Sequence, residues 1–131
     1  MRYLLDTHIW IWSLLDPSRI SRRVVRALEQ PGNELWLSPI SVWEFSMLVD
    51  RGRVSIDGDV ESWVGEALQR APLKEAPLTF EVALETQRVR LEHRDPADRF
   101  LVATAKVFDL TLITADRQLV TAKGLSVLAN R

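Results

Sequence analysis

Arg2-Tyr3-Leu4-Leu5-Asp6-Thr7-His8 opens the chain with an apolar run that gives way at once to an acid and a hydroxyl. A short continuous apolar run bounded by polar residues reads as a buried strand. Asp6 and Thr7 carry side chains that can cap a helix. The apolar stretch 9–15 follows and stops at Asp16-Pro17, so it reads as helix rather than as a second strand. A buried strand running straight into a helix is the first half of a β-α-β unit. Repeated along the chain, that unit predicts a parallel sheet with right-handed crossovers.

The remaining sequence repeats the alternation. Helices are expected over 21–30, 41–51, 59–70, 79–92 and 96–108, the second ending at Gly52. Val24, Val25 and Leu28 mark the inner side of the first of these, and the fourth carries Val82, Leu84, Val89 and Leu91 among many charges. Strands are expected over 35–37, 111–114 and 126–128, and the stretch 73–78 holds a short strand broken by Pro77. The fold class is α/β: a single domain over 1–131, built as a three-layer α/β/α sandwich on a small parallel sheet of four or five strands. No internal repeat, low-complexity tract or linker interrupts it.

Composition narrows the chemistry. The chain has 131 residues, 47% of them hydrophobic, and a formal net charge of -1. That is the length and apolar content of one globular domain. Nucleic-acid contact must then come from a local basic patch rather than from bulk charge. The absence of cysteine excludes disulfides, thiolate zinc sites and cysteine nucleophiles. No signal-peptide pattern opens the chain, and no apolar run approaches the ~20 residues of a membrane helix. A cytoplasmic protein with no membrane association is expected.

Four acids stand at strand–helix junctions or helix starts. Asp6 closes the first strand. Glu44 lies in Ser41-Val42-Trp43-Glu44-Phe45, in the first turn of its expected helix. Asp98 lies in Asp95-Pro96-Ala97-Asp98-Arg99, and Asp116 follows Leu112-Ile113-Thr114-Ala115. In an open parallel sheet such junctions meet outside the carboxyl ends of the strands. Carboxylates converging there repel one another and resist ionisation, and a hard divalent cation relieves that. The pattern points to a magnesium or manganese site. Each acid alone also has a structural explanation. Asp6 and Asp116 can cap helices. Ser41 to Glu44 has the spacing of a capping box. Asp95-Pro96-Ala97-Asp98 is a good helix start in itself. Only the conjunction argues for a site.

In order and context these acids resemble the PIN-domain ribonucleases, in particular the VapC-type toxins of toxin–antitoxin pairs. The matching text is Leu5-Asp6-Thr7-His8, Ser41-Val42-Trp43-Glu44, His93-Arg94-Asp95-Pro96-Ala97-Asp98-Arg99-Phe100-Leu101-Val102-Ala103 and Leu112-Ile113-Thr114-Ala115-Asp116. The resemblance implies a PIN-like α/β/α fold, Mg2+- or Mn2+-dependent RNA cleavage and inhibition by a small cognate antitoxin. It carries the catalytic and metal-binding roles to Asp6, Glu44, Asp98 and Asp116. It favours Asp98 over Asp95 as the third acid, because Asp98 is the one beside the Phe-Leu-Val-Ala helix. Thr114 fits the family's small hydroxyl near the fourth acid, and Thr7 can hydrogen-bond to the site.

Phosphodiester hydrolysis needs an activated water and a stabilised leaving oxygen. One metal ion lowers the pKa of bound water, and two about 3.5–4 Å apart also hold the leaving oxygen. Asp6 and Asp98 are the expected direct ligands, with Glu44 and Asp116 holding bound water or a second ion. His8 and His93 are available but not required. Arg88, Arg90, His93, Arg94 and Arg99 form a basic strip beside Asp98, suited either to RNA phosphates or to a solvated helix face. Five tryptophans, at 10, 12, 36, 43 and 63, are many for this length. Most are expected in the core. Trp10 and Trp12 cannot share a helix side, so one of them is a candidate for an exposed patch facing a partner peptide or the interface of a homodimer.

Other functions fit less well. A haloacid-dehalogenase-type phosphatase also starts with an Asp after its first strand, but it wants a second Asp at position 8, which is His8. A receiver-type phosphoacceptor lacks its early paired acids here. A structure-specific DNA nuclease needs extra helical elements for which the chain is short. The alternative kept is a catalytically silent PIN-like scaffold that binds protein or RNA, against which stands the presence of all four acids.

Overall fold

In the computed structural model, which describes residues 1–91 and 95–131, the apolar opening forms β1 (Arg2–Leu5). The chain continues through α1 (Thr7–Leu15), α2 (Arg22–Glu29), β2 (Glu34–Leu37), α3 (Pro39–Asp50), α4 (Val60–Arg70) and β3 (Leu73–Glu75). It closes with α5 (Phe80–Glu85), α6 (Pro96–Val107), β4 (Thr111–Thr114), α7 (Arg117–Val120) and β5 (Val127–Ala129). Short 3-10 turns lie at Pro17–Arg19 and Thr86–Arg88. The five strands form one sheet in the order β3-β2-β1-β4-β5, every pair parallel.

Both faces of the sheet are covered, and β1 shows how. Tyr3 and Leu5 point into a core shared with Trp10, Phe45 and Ile113, under α1 to α4. Leu4 points the other way, among Val82, Leu101, Leu112 and Leu119 under α5 to α7. The two-residue period of a strand divides its apolar residues between the layers. Leu4, Leu112 and Ile113 are fully buried. Each such side chain contributes roughly 1.5–3 kcal/mol of burial.

Strand order decides where a site can form. From β1 the chain builds outward through β2 to β3, then returns to the other side of β1 for β4 and β5. The order therefore reverses between β1 and β4, and at such a switch point the loops diverge and leave a crevice. Asp6 follows β1, and Asp116 lies two residues beyond β4. The β1–β4 pairing runs on past the strand end, with Asp6 N–H donating to the Ile113 carbonyl at 3.0 Å.

Several local expectations are corrected. α3 begins at Pro39, not Ser41. Ser38 caps it by accepting from Ile40 N–H, and Pro39 takes the first turn. Glu44 therefore sits one turn further in, and no capping box forms at Ser41. The expected helix over 79–92 is cut short: α5 ends at Glu85, and its last part falls outside the described residues. Thr86 Oγ1 donates to the Ala83 carbonyl, and Arg99 Nη1 donates to the carbonyls of Thr86 and Val89. These bonds hold the 3-10 turn in place of another helical turn. Leu84 is 70% exposed. α7 was not foreseen; four residues carry too little periodicity to show in sequence.

Candidate active site

Asp6 is the most constrained of the four acids. It is buried, yet each carboxylate oxygen has a donor. Thr7 N–H reaches Oδ1 at 2.8 Å, and the Thr114 hydroxyl reaches Oδ2 at 2.6 Å. Thr114, fully buried at the end of β4, also accepts the Asp116 N–H at 3.0 Å. One hydroxyl thus ties the ends of β1 and β4 together across the switch point. It can do so because Thr Oγ1 donates one proton and accepts through its lone pairs.

A second hydroxyl pair places Glu44. Thr7 Oγ1 lies 2.5 Å from Glu44 Oε1 and 2.8 Å from the buried Ser41 Oγ. A hydroxyl has one proton, and an ionised carboxylate only accepts, so Thr7 donates to Glu44 and Ser41 serves the Thr7 oxygen. Ser41, which the sequence suggested as a cap, is instead the support under Thr7. Asp95 caps α6 by accepting from Ala97 N–H at 3.0 Å, and Asp98 follows in the first turn. Asp116 caps α7 by accepting from Gln118 N–H at 2.8 Å.

These acids meet. Asp6, Glu44, Asp98 and Asp116 line one open pocket of about 370 Å³. Asp95 lines it too, with His8 and Trp12 at its edge and no lysine or arginine among the described residues. Burial raises the pKa of Asp6, opposed by the Thr114 and Thr7 hydrogen bonds. Burial likewise raises Glu44, opposed by Thr7 and reinforced by Asp6 and Asp95. Asp98 is pushed up to about 8, first by burial and then by Asp6, Asp95, Asp116 and Glu44. Such a cluster favours either a proton or a cation.

The donor set suits a hard divalent ion, since all five acids offer oxygen. Among the described residues, however, no three acidic or histidine side chains are gathered closely enough to form a ready-made cage. They share a pocket open to solvent, which is the form expected of an ion that keeps much of its water.

The basic strip is dispersed. Arg88 pairs with Glu85 at 3.0 Å, and Arg99 is used to hold the Thr86–Arg88 turn. His93 and Arg94 lie outside the described residues. The tryptophans also differ from expectation. Trp10 is buried against Phe45 and Trp63, while Trp43, beside Glu44, is 54% exposed. Trp12 is half-buried, with the Arg19 guanidinium 4.2 Å above its ring.

Comparison with known proteins gives this geometry its class. The PIN-domain family model matches residues 3–125. Ribonuclease VapC22 of Mycobacterium tuberculosis is 31% identical over 117 residues, covering 88% of each chain. Among solved structures, VapBC2 of Rickettsia felis, bound to a DNA fragment from its promoter, superposes with a TM-score of 0.75 at 17% identity over 98% of both chains. The DNA-bound VapBC of Salmonella typhimurium gives 0.72 at 16% identity, over 100% of this chain and 99% of that one. FitAcB of Neisseria gonorrhoeae gives 0.65 at 25% identity, over 98% of this chain and 97% of that one.

The chain belongs to the PIN-domain family. Within it, the similarity runs to the VapC ribonucleases, and the PIN-like fold expected from the sequence is the fold observed. No helix among the described residues is long and apolar enough to cross a membrane.

Proposed function

We propose that this protein is a divalent-metal-dependent endoribonuclease, the toxin of a toxin–antitoxin pair. The observation that carries the reading is the convergence of Asp6, Glu44, Asp98 and Asp116 on one pocket at the switch point. The identity to a VapC ribonuclease supports the same activity. Asp6 and Asp98 would hold Mg2+ or Mn2+, with Asp116 and Glu44 on its water or on a second ion. When bound, the ion supplies Lewis acidity and offsets the charge of the phosphodiester. The protein's own part is positioning. Asp6 is fixed at both oxygens, so its orientation is set before substrate arrives. Thr7 occupies Glu44 Oε1 and leaves Oε2 to accept a proton from the attacking water.

Control by a small antitoxin belongs to the same reading, because structural neighbours are toxin–antitoxin complexes. An arginine of the antitoxin is the group suited to an all-carboxylate pocket, since it pairs through two hydrogen bonds and keeps its charge. Trp12 and the exposed Trp43 offer an apolar surface beside it. A homodimer is also expected. Phe80 and Leu84, one turn apart on α5 and 92% and 70% exposed, give a second copy an apolar face. Sedimentation of a Leu84→Arg protein as an unchanged dimer would remove that face from the interface.

The test is cleavage of single-stranded RNA by the purified chain, with Mn2+, with EDTA, and with the product of the neighbouring reading frame added. Cleavage that needs Mn2+ and stops with the neighbour supports the proposal. RNA left intact under every metal condition refutes it and favours the silent scaffold.

A further inference from the structure

A second concave surface lies beside the acidic pocket, with the opposite charge. Arg88, Arg90, Lys106 and Lys123 line a groove of about 640 Å³, together with Gln118 and Thr121. Among the described residues, no carboxylate lines it. The cations come from three separate parts of the chain: the turn after α5, the last turn of α6, and the loop after α7. Lys106 Nζ lies beside Gly124, close enough that a Cβ there would be 3.7 Å away. Gly124 has φ +72°, so the loop turns through a conformation that favours glycine and brings Lys123 near Lys106.

Among the described residues, Arg90, Lys106 and Lys123 make no ion pair, and Arg88 has only its half-buried neighbour Glu85. The chain has 18 acidic residues to 17 basic ones. Four cations around one hollow, with no acid among its described lining residues, therefore require explanation. Their mutual repulsion is relieved by an anion with several charges in a row.

The groove and the acidic pocket are built on the same two helices, α6 and α7. Asp116 lines the pocket and caps α7, and Gln118, held by that cap at 2.8 Å, lines the groove. α6 likewise contributes Asp98 to one and Lys106 to the other. Eight helical residues separate them, about 12 Å along the axis. A single strand can cross that distance in a few nucleotides.

We propose that this groove is a track for the RNA backbone, binding phosphates a few nucleotides from the bond that is cut. The inference rests on the ribonuclease reading and adds to it a distal site that sets how long a substrate must be. Arg88, Arg90, Lys106 and Lys123 contact phosphates, while Gln118 and Thr121 offer polar contacts to the sugars. Such contacts position the strand without reading its sequence.

The test uses the double variant K106Q/K123Q, whose changes are on the surface, with its melting temperature as a folding control. Binding of a labelled single-stranded RNA 12-mer is measured in EDTA across a salt series. The variant should bind about tenfold more weakly, and its salt slope should fall by roughly 1.4, at about 0.7 per lost phosphate contact on a single strand. With Mn2+, cleavage of the 12-mer should lose mainly in KM, while a trinucleotide too short to reach the groove is cut at the wild-type rate. An unchanged salt slope and equal losses on both substrates would overturn the inference. So would weakened binding to a DNA duplex with RNA binding intact, which would assign the groove to DNA. If wild type cleaves neither substrate, the ribonuclease reading fails, and the EDTA binding series still decides whether the groove holds RNA.

Discussion

The acidic pocket and the cationic groove lie side by side across α6 and α7, and they are built in opposite ways. In the pocket, Asp6 and Glu44 are braced by hydroxyls, and burial pushes Asp6, Glu44 and Asp98 above the usual carboxylate range. The groove's charges are mostly exposed, and among the described residues the only side-chain carboxylate paired to any of them is Glu85. The first arrangement is costly without a counter-ion and fixes geometry. The second costs little and fixes none. Catalysis needs the former, because donors must be in place before charge develops. Holding a flexible polyanion needs only the latter.

The largest effects should therefore come from the pocket. Asp98→Asn keeps volume and removes charge, and RNA cleavage should fall by about 10²–10³-fold, the scale of losing one preorganised electrostatic group. RNA binding in EDTA should not weaken, since a like charge facing the phosphates is lost. Wild-type cleavage rates in this variant would take Asp98 out of the site.

Next comes the brace. Thr114→Val removes the proton donor to Asp6 Oδ2 and the acceptor for Asp116 N–H. Loss of a partner next to a bound metal typically costs about 10–100-fold in affinity or activity. Because that hydrogen bond lowers the Asp6 pKa, the acid limb of the pH–rate profile should also move to higher pH. A rate loss with an unmoved acid limb would make Thr114 a packing residue only.

The smallest of the pocket effects is on stability. Asp98 has its folded pKa raised from 3.8 to about 8. The folded state then binds more protons than the unfolded state between these values, so metal-free stability falls as pH rises through that window. Asp98→Asn should melt above the wild type at pH 8 and close to it near pH 4. Added Mn2+ should raise the wild-type melting temperature at pH 8. Parallel melting curves for the two proteins across the whole range would contradict this. The groove variant keeps Asp98 and should therefore show the same pH slope as the wild type.

How far each region was legible in sequence follows from the same contrast. β1, β4 and the start of α6 could be read because buried apolar runs and an Asp-Pro start are local signals. Asp6, Asp98 and Asp116 could be located because each stands next to one of those signals. Glu44 was placed one turn early, since Ser41 and Ser38-Pro39 both look like helix starts and only the latter caps one. The end of α5 was missed because it depends on Arg99, which reaches back to Thr86 and Val89 from the next helix. Trp10 and Trp12 differ in fate because packing against Phe45 and Trp63, not spacing alone, decides which ring is buried. The groove was legible only in part. The basic strip contained Arg88 and Arg90, but the fold joins them to Lys106 and Lys123, two distant residues with no motif around them.

The claim on which the rest depends is that the carboxylate pocket exchanges protons for a divalent cation. Calorimetric titration of RNA-free protein with Mn2+ at pH 7, in two buffers of different ionisation enthalpy, measures both at once. The prediction is saturable binding with release of about one proton per ion, because Asp98 is largely protonated at that pH, and loss of both in Asp98→Asn. Absence of Mn2+ binding, or binding without proton release that persists in Asp98→Asn, would contradict it.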